Sequence, residues 1–138
     1  MNKSVIRRRV ESPVRVEIIL EKKKGFLPFE ELDIWIRARE MVKYVYTVTK
    51  PMTDRSFRDQ LQRAAISVMN NIAEGREAGS AKLFRRYLGI AKASCGEVRS
   101  MFYAAQDLGF TTPIKSMEAI DRATQLSKMI AGFTKTLK

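Results

Sequence analysis

The chain has no histidine, a single cysteine and no long apolar run. The lack of histidine removes the commonest general base and the commonest metal ligand, and it excludes the Glu-x-x-His pattern of di-iron bundles. Cys95 alone cannot form an intrachain disulfide, which suits a reducing compartment. No stretch reaches the roughly 18 consecutive apolar residues of a membrane-spanning helix. We therefore expect a cytoplasmic protein with no metal site and no membrane span.

The sequence also lacks the short motifs of common enzymes. It contains no glycine-rich phosphate loop, no nucleophile elbow and no evident cluster of carboxylates. These absences predict a non-enzymatic protein without catalytic residues and without a cofactor.

The N-terminal segment differs in composition from the rest of the chain. Residues 1–28 contain RRR and KKK runs but neither the uninterrupted apolar stretch nor the small-residue cleavage site of a signal peptide. The stretch RVEIIL at 15–20 alternates weakly and is compatible with a short strand. We interpret residues 1–28 as a basic N-terminal extension of a folded domain over 29–138.

Basic residues outnumber acidic ones in both parts of the chain. The 26 Lys and Arg against 15 Asp and Glu give a net charge of +11. Residues 1–28 contribute +5 and residues 29–138 contribute +6, so the folded part is basic as well. Such a balance favours a polyanionic partner, nucleic acid before an anionic membrane, although charge needed only for solubility gives the same composition.

Prolines at positions 28, 51 and 113 divide the chain into helical segments. Between them apolar residues recur at steps of three and four, which predicts helices over 29–49, 56–77, 81–108 and 114–136. Asp54 or Ser56 is the predicted N-cap of the second helix, and Ser80 that of the third. Short links between long helices predict an all-α, up-down-up-down antiparallel four-helix bundle.

The apolar seams of these helices predict the core. The third helix has the longest seam: Phe84, Leu88, Ala91, Cys95, Val98, Phe102 and Ala105. The fourth is predicted to bury Met117, Ile120, Ala123, Leu126, Ile130, Phe133 and Leu137. Cys95 is therefore interpreted as a core residue rather than a reactive thiol, and Trp35 as the start of the apolar side of the first helix.

A second stripe on the third helix combines glycine with positive charge. Arg85, Gly89, Lys92, Gly96 and Arg99 follow one another at steps of four and three. An interior glycine costs about 1 kcal/mol of helix stability relative to alanine, so two at this spacing require a reason. Glycine allows another backbone to approach closely, either within one bundle or in a contact between subunits.

The same helix carries the strongest candidates for phosphate contacts. Between residues 82 and 99 the only acid is Glu97, and the candidate nucleic-acid-binding residues are Lys82, Arg85, Arg86, Lys92 and Arg99. The alternative is a solvated helix face. Four tyrosines at positions 44, 46, 87 and 103 offer rings for stacking on bases, although such residues are more often half-buried at the edges of a bundle.

Polar residues interrupt the second helix in the stretch QLQRAAISVMNNIAEG at 60–75. Asn70, Asn71, Glu74 and, two turns earlier, Arg63 form a polar line that needs partners if it is buried. A buried structural network is one interpretation, and a contact with another subunit or a ligand is the other. Catalysis is disfavoured, because no third group accompanies the glutamate.

Three stretches resemble a known family. FEELDIWIRAREMVKYVYTVT at 29–49, FRDQLQRAAISVMNNIAEG at 57–75 and FRRYLGIAKASCGEVRSMFYAAQDLGF at 84–110 are similar to the four-helix bundle family also called the 23S ribosomal RNA intervening-sequence protein family. The similarity covers about residues 29–137. The chain departs from the family's usual pattern at Met69, where a proline and hence a kink are common.

The resemblance implies an assembly and two functions. Members form up-down bundles that assemble as pentameric rings, and many are encoded in insertions within ribosomal RNA genes with no established activity. The accessory variability determinant of diversity-generating retroelements is similar in fold, and it is a basic pentamer that binds nucleic acid and its reverse transcriptase. The chain is thus expected to be a homopentameric scaffold that binds RNA or DNA, with a reverse transcriptase as a further partner. The alternative is a structural or protein-interaction oligomer of the ribosomal insertion branch.

Overall fold

The computed structural model describes residues 27–138. In this part of the chain a short 3-10 turn, Phe29–Glu31, precedes four α-helices. They are α1 (Asp33–Thr49), α2 (Arg55–Glu77), α3 (Ala81–Asp107) and α4 (Pro113–Lys135). The predicted fold class is therefore confirmed as all-helical with four helices.

Local signals place the helix ends. The side chains of Asp54, Ser80 and Thr112 accept hydrogen bonds from the backbone N–H groups of Phe57, Leu83 and Lys115, so each caps the start of the following helix. Gly79 and Gly109 lie in the left-handed region, with φ of 81° and 71°, directly after α2 and α3. Asp54 rather than Ser56 is the N-cap of α2.

The helices run alternately up and down. The end of α2 packs on the start of α3, since Gly75 lies against Phe84. The end of α3 meets the start of α4, where the Ser116 hydroxyl donates to the Phe102 carbonyl at 2.7 Å. Tyr44, near the end of α1, donates to the Lys115 carbonyl near the start of α4 at 3.2 Å. These contacts close an antiparallel four-helix bundle.

The core lies along the bundle axis and follows the predicted seams. All seven members of the α3 seam are buried, as are Leu61, Ala65, Val68 and Ile72 of α2. Thr49 is buried too, and its hydroxyl donates to the Val45 carbonyl and accepts from Gln62. The α2 helix runs unbroken through Met69, the position where the resemblance suggests a proline in other members.

Two details differ from the predictions. The first helix begins at Asp33 rather than Phe29, because a 3-10 turn and the extended Leu32 precede it. Met117 was predicted to be buried but is exposed, because the neighbouring Ser116 occupies the inward position and bonds to α3. Trp35 is half-buried and packs edge-on against Phe29, with ring centroids 5.2 Å apart.

Two further predictions concern the N-terminal extension and membrane-spanning helices. The predicted strand at 15–20 and nearly all of the extension at 1–28 lie outside the described residues. Within the described residues, no helix combines the length and the apolar character that crossing a bilayer requires.

Candidate self-assembly and nucleic-acid surfaces

Gly89 and Gly96 lie on the outside of α3 and are not needed for packing within the bundle. Gly89 is exposed and Gly96 is half-buried, and a Cβ built on either would meet no atom of the described chain within 4 Å. Within residues 27–138, neither glycine is therefore required for tight packing inside one bundle. The subunit contact remains a prediction for these two residues.

Gly75 shows what a glycine required by packing looks like in the same protein. A Cβ at this position would lie 2.7 Å from the Cβ of Tyr87 and 2.9 Å from Cδ1 of Phe84. Atoms at these distances clash, so α2 and α3 can approach this closely only at glycine. The glycine that interrupts the α2 pattern thus serves the contact between these two helices.

The outer glycines belong to a line of small side chains along α3. Ala93 and Ser100 are both exposed and, with Gly89 and Gly96, repeat at steps of four, three and four. Residues at these steps share one side of a helix. We call these four residues the small-residue line; it leaves a shallow strip on the longest helix of the bundle.

The five candidate phosphate-binding residues surround this line. Lys82, Arg85, Arg86 and Lys92 are exposed, and Arg99 is half-buried. Within residues 27–138 none of the five forms an ion pair with a carboxylate, and Arg85 donates only to the Leu137 carbonyl, at 3.4 Å. Their charges are therefore not neutralised by neighbouring acids and remain available to an anionic partner.

An apolar patch lies where α3 turns into α4. Ile114 is 83% exposed, and Leu108 and Met117 are also mostly exposed. Glu118 and Asp121 lie beside Ile114 and Met117 in one surface depression. We call Leu108, Ile114 and Met117 the turn patch. Exposed apolar clusters of this kind are typical of interaction sites. Beside this one, Glu118 is paired with Arg122 at 2.8 Å, whereas Asp121 is exposed.

The polar residues predicted to form one line on α2 lie in two different environments. Arg63, Asn70 and Glu74 point to solvent, whereas Asn71 is half-buried. The Asn71 amide donates to the carbonyl and the hydroxyl of Ser67, at 2.8 and 3.0 Å.

The Ser67 hydroxyl in turn lies 2.9 Å from the hydroxyl of Ser94, so the buried polar network joins α2 to α3. Serines at positions 67 and 94 were not selected from the sequence, because single serines on a helix carry little signal. A subunit or ligand contact remains a prediction for Arg63, Asn70 and Glu74.

The four tyrosines have different environments. The Tyr44 ring is covered by the Arg122 guanidinium, 4.7 Å from the ring centroid. Burial raises the pKa of Tyr44, Glu118 raises it further, and Arg122 opposes both. Tyr87 is half-buried, and Tyr103 is 52% exposed on α3. Tyr46 lines a cleft between α1 and α2 that sequence reasoning missed.

Cys95 is fully buried in the α3 seam. Burial raises the pKa of its thiol from 9.0 to about 12, and the nearby Arg99 opposes this only weakly. A thiol that stays protonated is a poor nucleophile, so the interpretation of Cys95 as a core residue is confirmed.

Comparison with known proteins adds one finding. The family model described as "23S rRNA-intervening sequence protein" matches residues 30–132, which is well over half of the chain. No curated protein matches the sequence. The matched range begins just before α1 and ends within α4, so it covers nearly the whole bundle.

Proposed function

The chain belongs to the 23S rRNA-intervening sequence protein family, and we propose that it is a non-enzymatic, basic scaffold that assembles from copies of itself and holds nucleic acid. The observation that carries this proposal is the outer face of α3. There, cations that have no carboxylate partner within residues 27–138 flank glycines that the described bundle does not need.

The charge of α3 supports binding to nucleic acid. Phosphate contacts supply most of the affinity of sequence-independent binding, and exposed Lys and Arg side chains make them. Lys82, Arg85, Arg86, Lys92 and Arg99 provide five such groups on one helix, with no carboxylate partner in the described part of the chain. The described residues as a whole carry eighteen cations against twelve acids, so the surrounding field has the same sign.

The small-residue line supports self-assembly. Glycine at positions 89 and 96 lowers the stability of an isolated helix by about 1 kcal/mol each relative to alanine, and nothing within the described bundle offsets this loss. A second copy of the chain against α3 would offset it, because the missing side chains allow close backbone contact. The same contact would bury part of the exposed surface of the longest helix.

The turn patch supports a ring rather than a two-fold dimer. A two-fold contact joins identical surfaces, whereas a head-to-tail contact joins two unlike surfaces and gives a ring when the rotation between copies closes. The bundle has two unlike surfaces: the small-residue line with basic neighbours, and the turn patch with Glu118 and Asp121 beside it. A contact between the small-residue line and the turn patch would leave the flanking cations of α3 for nucleic acid, and five copies form the ring that we propose.

A reverse transcriptase is the protein partner that we propose for this scaffold, which would hold a nucleic acid for it in the cytoplasm. The alternative is a structural oligomer whose basic face meets an acidic protein partner, and the exposed cations of α3 favour it equally well. Partners that survive nuclease treatment in a pull-down with the full chain would favour the alternative. Partners released by nuclease would favour the scaffold.

Filter binding of labelled RNA and DNA at two salt concentrations tests the proposed function. We expect binding at about 50 mM salt that weakens by at least tenfold at about 200 mM, with little dependence on sequence. Phosphate contacts release counterions and make the affinity depend steeply on salt. No binding at low salt, or an affinity that does not change with salt, would refute nucleic-acid binding.

Two double variants test whether α3 holds the nucleic acid. Replacing Arg85 and Lys92 with glutamine is expected to lower the affinity and the salt dependence, because two phosphate contacts are lost. The control replaces Lys115 and Lys128, exposed cations of α4, in the same way and with the same change in net charge. Equal effects of the two pairs would show that general charge, and not the face of α3, holds the nucleic acid. The mass of each variant in solution must be measured alongside, since the small-residue line is on the same helix.

A further inference from the structure

A polar cleft lies between the end of α1 and the start of α2, away from the surfaces considered so far. It has a volume of about 450 Å³, within the usual range of small-ligand sites. Tyr46 and Lys50 line it from α1, and Arg58, Asp59 and Gln62 line it from α2. Such a cleft has room for one nucleotide.

Tyr46 presents an uncovered aromatic ring to this cleft. The residue is 39% exposed. In residues 27–138 no other aromatic ring and no guanidinium packs on it, in contrast to Tyr44, whose ring lies under Arg122. An exposed aromatic face beside positive charge is the usual platform for a nucleobase.

Two cations flank the ring. Lys50 follows Tyr46 by one helical turn and so lies on the same side of the chain. Arg58 is held in place, because its Nη1 donates to the Met52 carbonyl at 3.3 Å and its Nε lies 3.5 Å from the Asp59 carboxylate. A guanidinium held by two contacts and an exposed ammonium beside one ring suit the phosphates on either side of a stacked base.

Hydrogen-bond acceptors complete the cleft. The Gln62 amide nitrogen donates to the Thr49 hydroxyl at 2.9 Å, which orients the side chain and leaves its carbonyl oxygen to accept. The Asp59 carboxylate is about half exposed and also accepts hydrogen bonds. The donors on the Watson–Crick edge of a base are free to reach such acceptors when the base is unpaired.

We propose that this cleft binds one unpaired nucleotide of an RNA or DNA strand, with the base stacked on Tyr46 and the adjacent phosphates on Lys50 and Arg58. The site rests on the proposed function, since it adds a single-strand contact to a scaffold that holds nucleic acid through α3. It gives that scaffold a preference for single strands, which phosphate contacts alone do not provide.

Fluorescence anisotropy with the full chain tests the cleft. The probes are a labelled oligouridylate of about 12 nucleotides and an RNA duplex of about the same length. Tyr46→Ala is expected to weaken oligouridylate binding about tenfold, the usual effect of losing one base–aromatic stack, and to change duplex binding by less than about twofold. Tyr46→Phe keeps the ring and is expected to bind like the wild type.

Two further variants separate stacking from other effects. Gln125→Ala removes an exposed, uncharged side chain of α4 that does not line the cleft, and this control is expected to keep oligouridylate affinity within about twofold of wild type. Lys50→Ala is expected to lower the slope of log affinity against log salt for the oligouridylate by about 0.7, the value for one phosphate on a single strand. Circular dichroism confirms that each variant remains helical.

The outcomes distinguish the cleft from the proposed function. Wild-type protein that binds neither probe at low salt would overturn both. Protein that binds both probes, while Tyr46→Ala binds the oligouridylate as tightly as wild type, would overturn the cleft alone. The cleft is also refuted if Tyr46→Ala weakens both probes equally, or if Gln125→Ala has the same effect.

Discussion

At the scale of single residues, burial decides what a side chain does in this protein. Cys95 has no exposed surface and its thiol remains protonated at neutral pH. Tyr44 and Tyr46 are two positions apart, yet one ring lies under Arg122 and the other faces a cleft. Residue type alone therefore does not predict the environment of a side chain here. The position of the residue on its helix predicts it better.

The raised pKa of Cys95 makes the stability of the bundle depend on pH above neutrality. The thiol has a pKa of about 12 in the folded chain and 9.0 as its ordinary value, so between these values the unfolded chain has lost a proton that the folded chain retains. The free energy of unfolding then falls as pH rises, by up to about 1.4 kcal/mol per pH unit from this group. Below about pH 9 the thiol is protonated in both states, and its full contribution to the stability of the bundle is present.

Urea denaturation at several pH values checks this dependence against Cys95→Ala. The variant is expected to be less stable at neutral pH because it leaves a small cavity, but its stability should fall less steeply above about pH 9. Other groups titrate equally in both proteins, so the difference in slope isolates the thiol. If the free energy of unfolding fell equally steeply with pH in both proteins, the raised pKa of the Cys95 thiol would be contradicted.

At the scale of helices, α3 organises the bundle and carries most of its surface features. Its inner side holds the seven-residue seam, its contact with α2 requires Gly75, and its outer side carries the small-residue line. Gly75 lies in a close contact between two helices, whereas a Cβ at Gly89 would meet no neighbouring atom in the described bundle. The sequence alone does not distinguish these two kinds of glycine.

Alanine substitutions at the two kinds of glycine are expected to change stability in opposite directions. Gly75→Ala brings a methyl group within 2.7 Å of Tyr87 and should destabilise the bundle by about 1–3 kcal/mol. Gly89→Ala meets no atom of its own bundle and should raise the stability of the isolated chain by up to about 1 kcal/mol. Denaturation of dilute protein measures both effects. Equal losses at the two positions would show that Gly89 also packs within one bundle.

The extent of each helix and most of its core could be predicted from the sequence, because spacing and capping are local. Asp54 and Ser80 cap helices as predicted, and the α3 seam is buried throughout. The prediction that Met117 is buried was wrong. The hydrogen bond from Ser116 to α3 sets which side of the first turn of α4 faces the core, and the spacing of residues within α4 does not reveal that bond.

The candidate sites could be predicted only in part, for a related reason. The cations and glycines of α3 lie on one helix and are visible as a spacing pattern. The cleft brings Tyr46 and Lys50 of α1 together with Arg58 of α2, and such a grouping depends on how two helices pack. The polar bond between Ser67 and Ser94 likewise joins two helices and has no local signature.

At the scale of the whole molecule, the described bundle is folded around a complete core but has two surfaces that are unusual for an isolated chain. One is the small-residue line with its unpaired cations, and the other is the turn patch with Ile114 largely in solvent. The proposed head-to-tail assembly would account for both surfaces with one repeated contact. It would also multiply the basic faces offered to a nucleic acid, which would increase avidity without new contacts.

The mass of the protein in solution tests this account most directly, by sedimentation equilibrium at micromolar concentration with Gly96→Gln as the comparison. We predict a particle of about five times the 15.8 kDa chain mass for the wild type, and a shift toward the single chain when the glutamine side chain fills the small-residue line. A well-folded wild-type particle of 15.8 kDa at the same concentration would contradict the account.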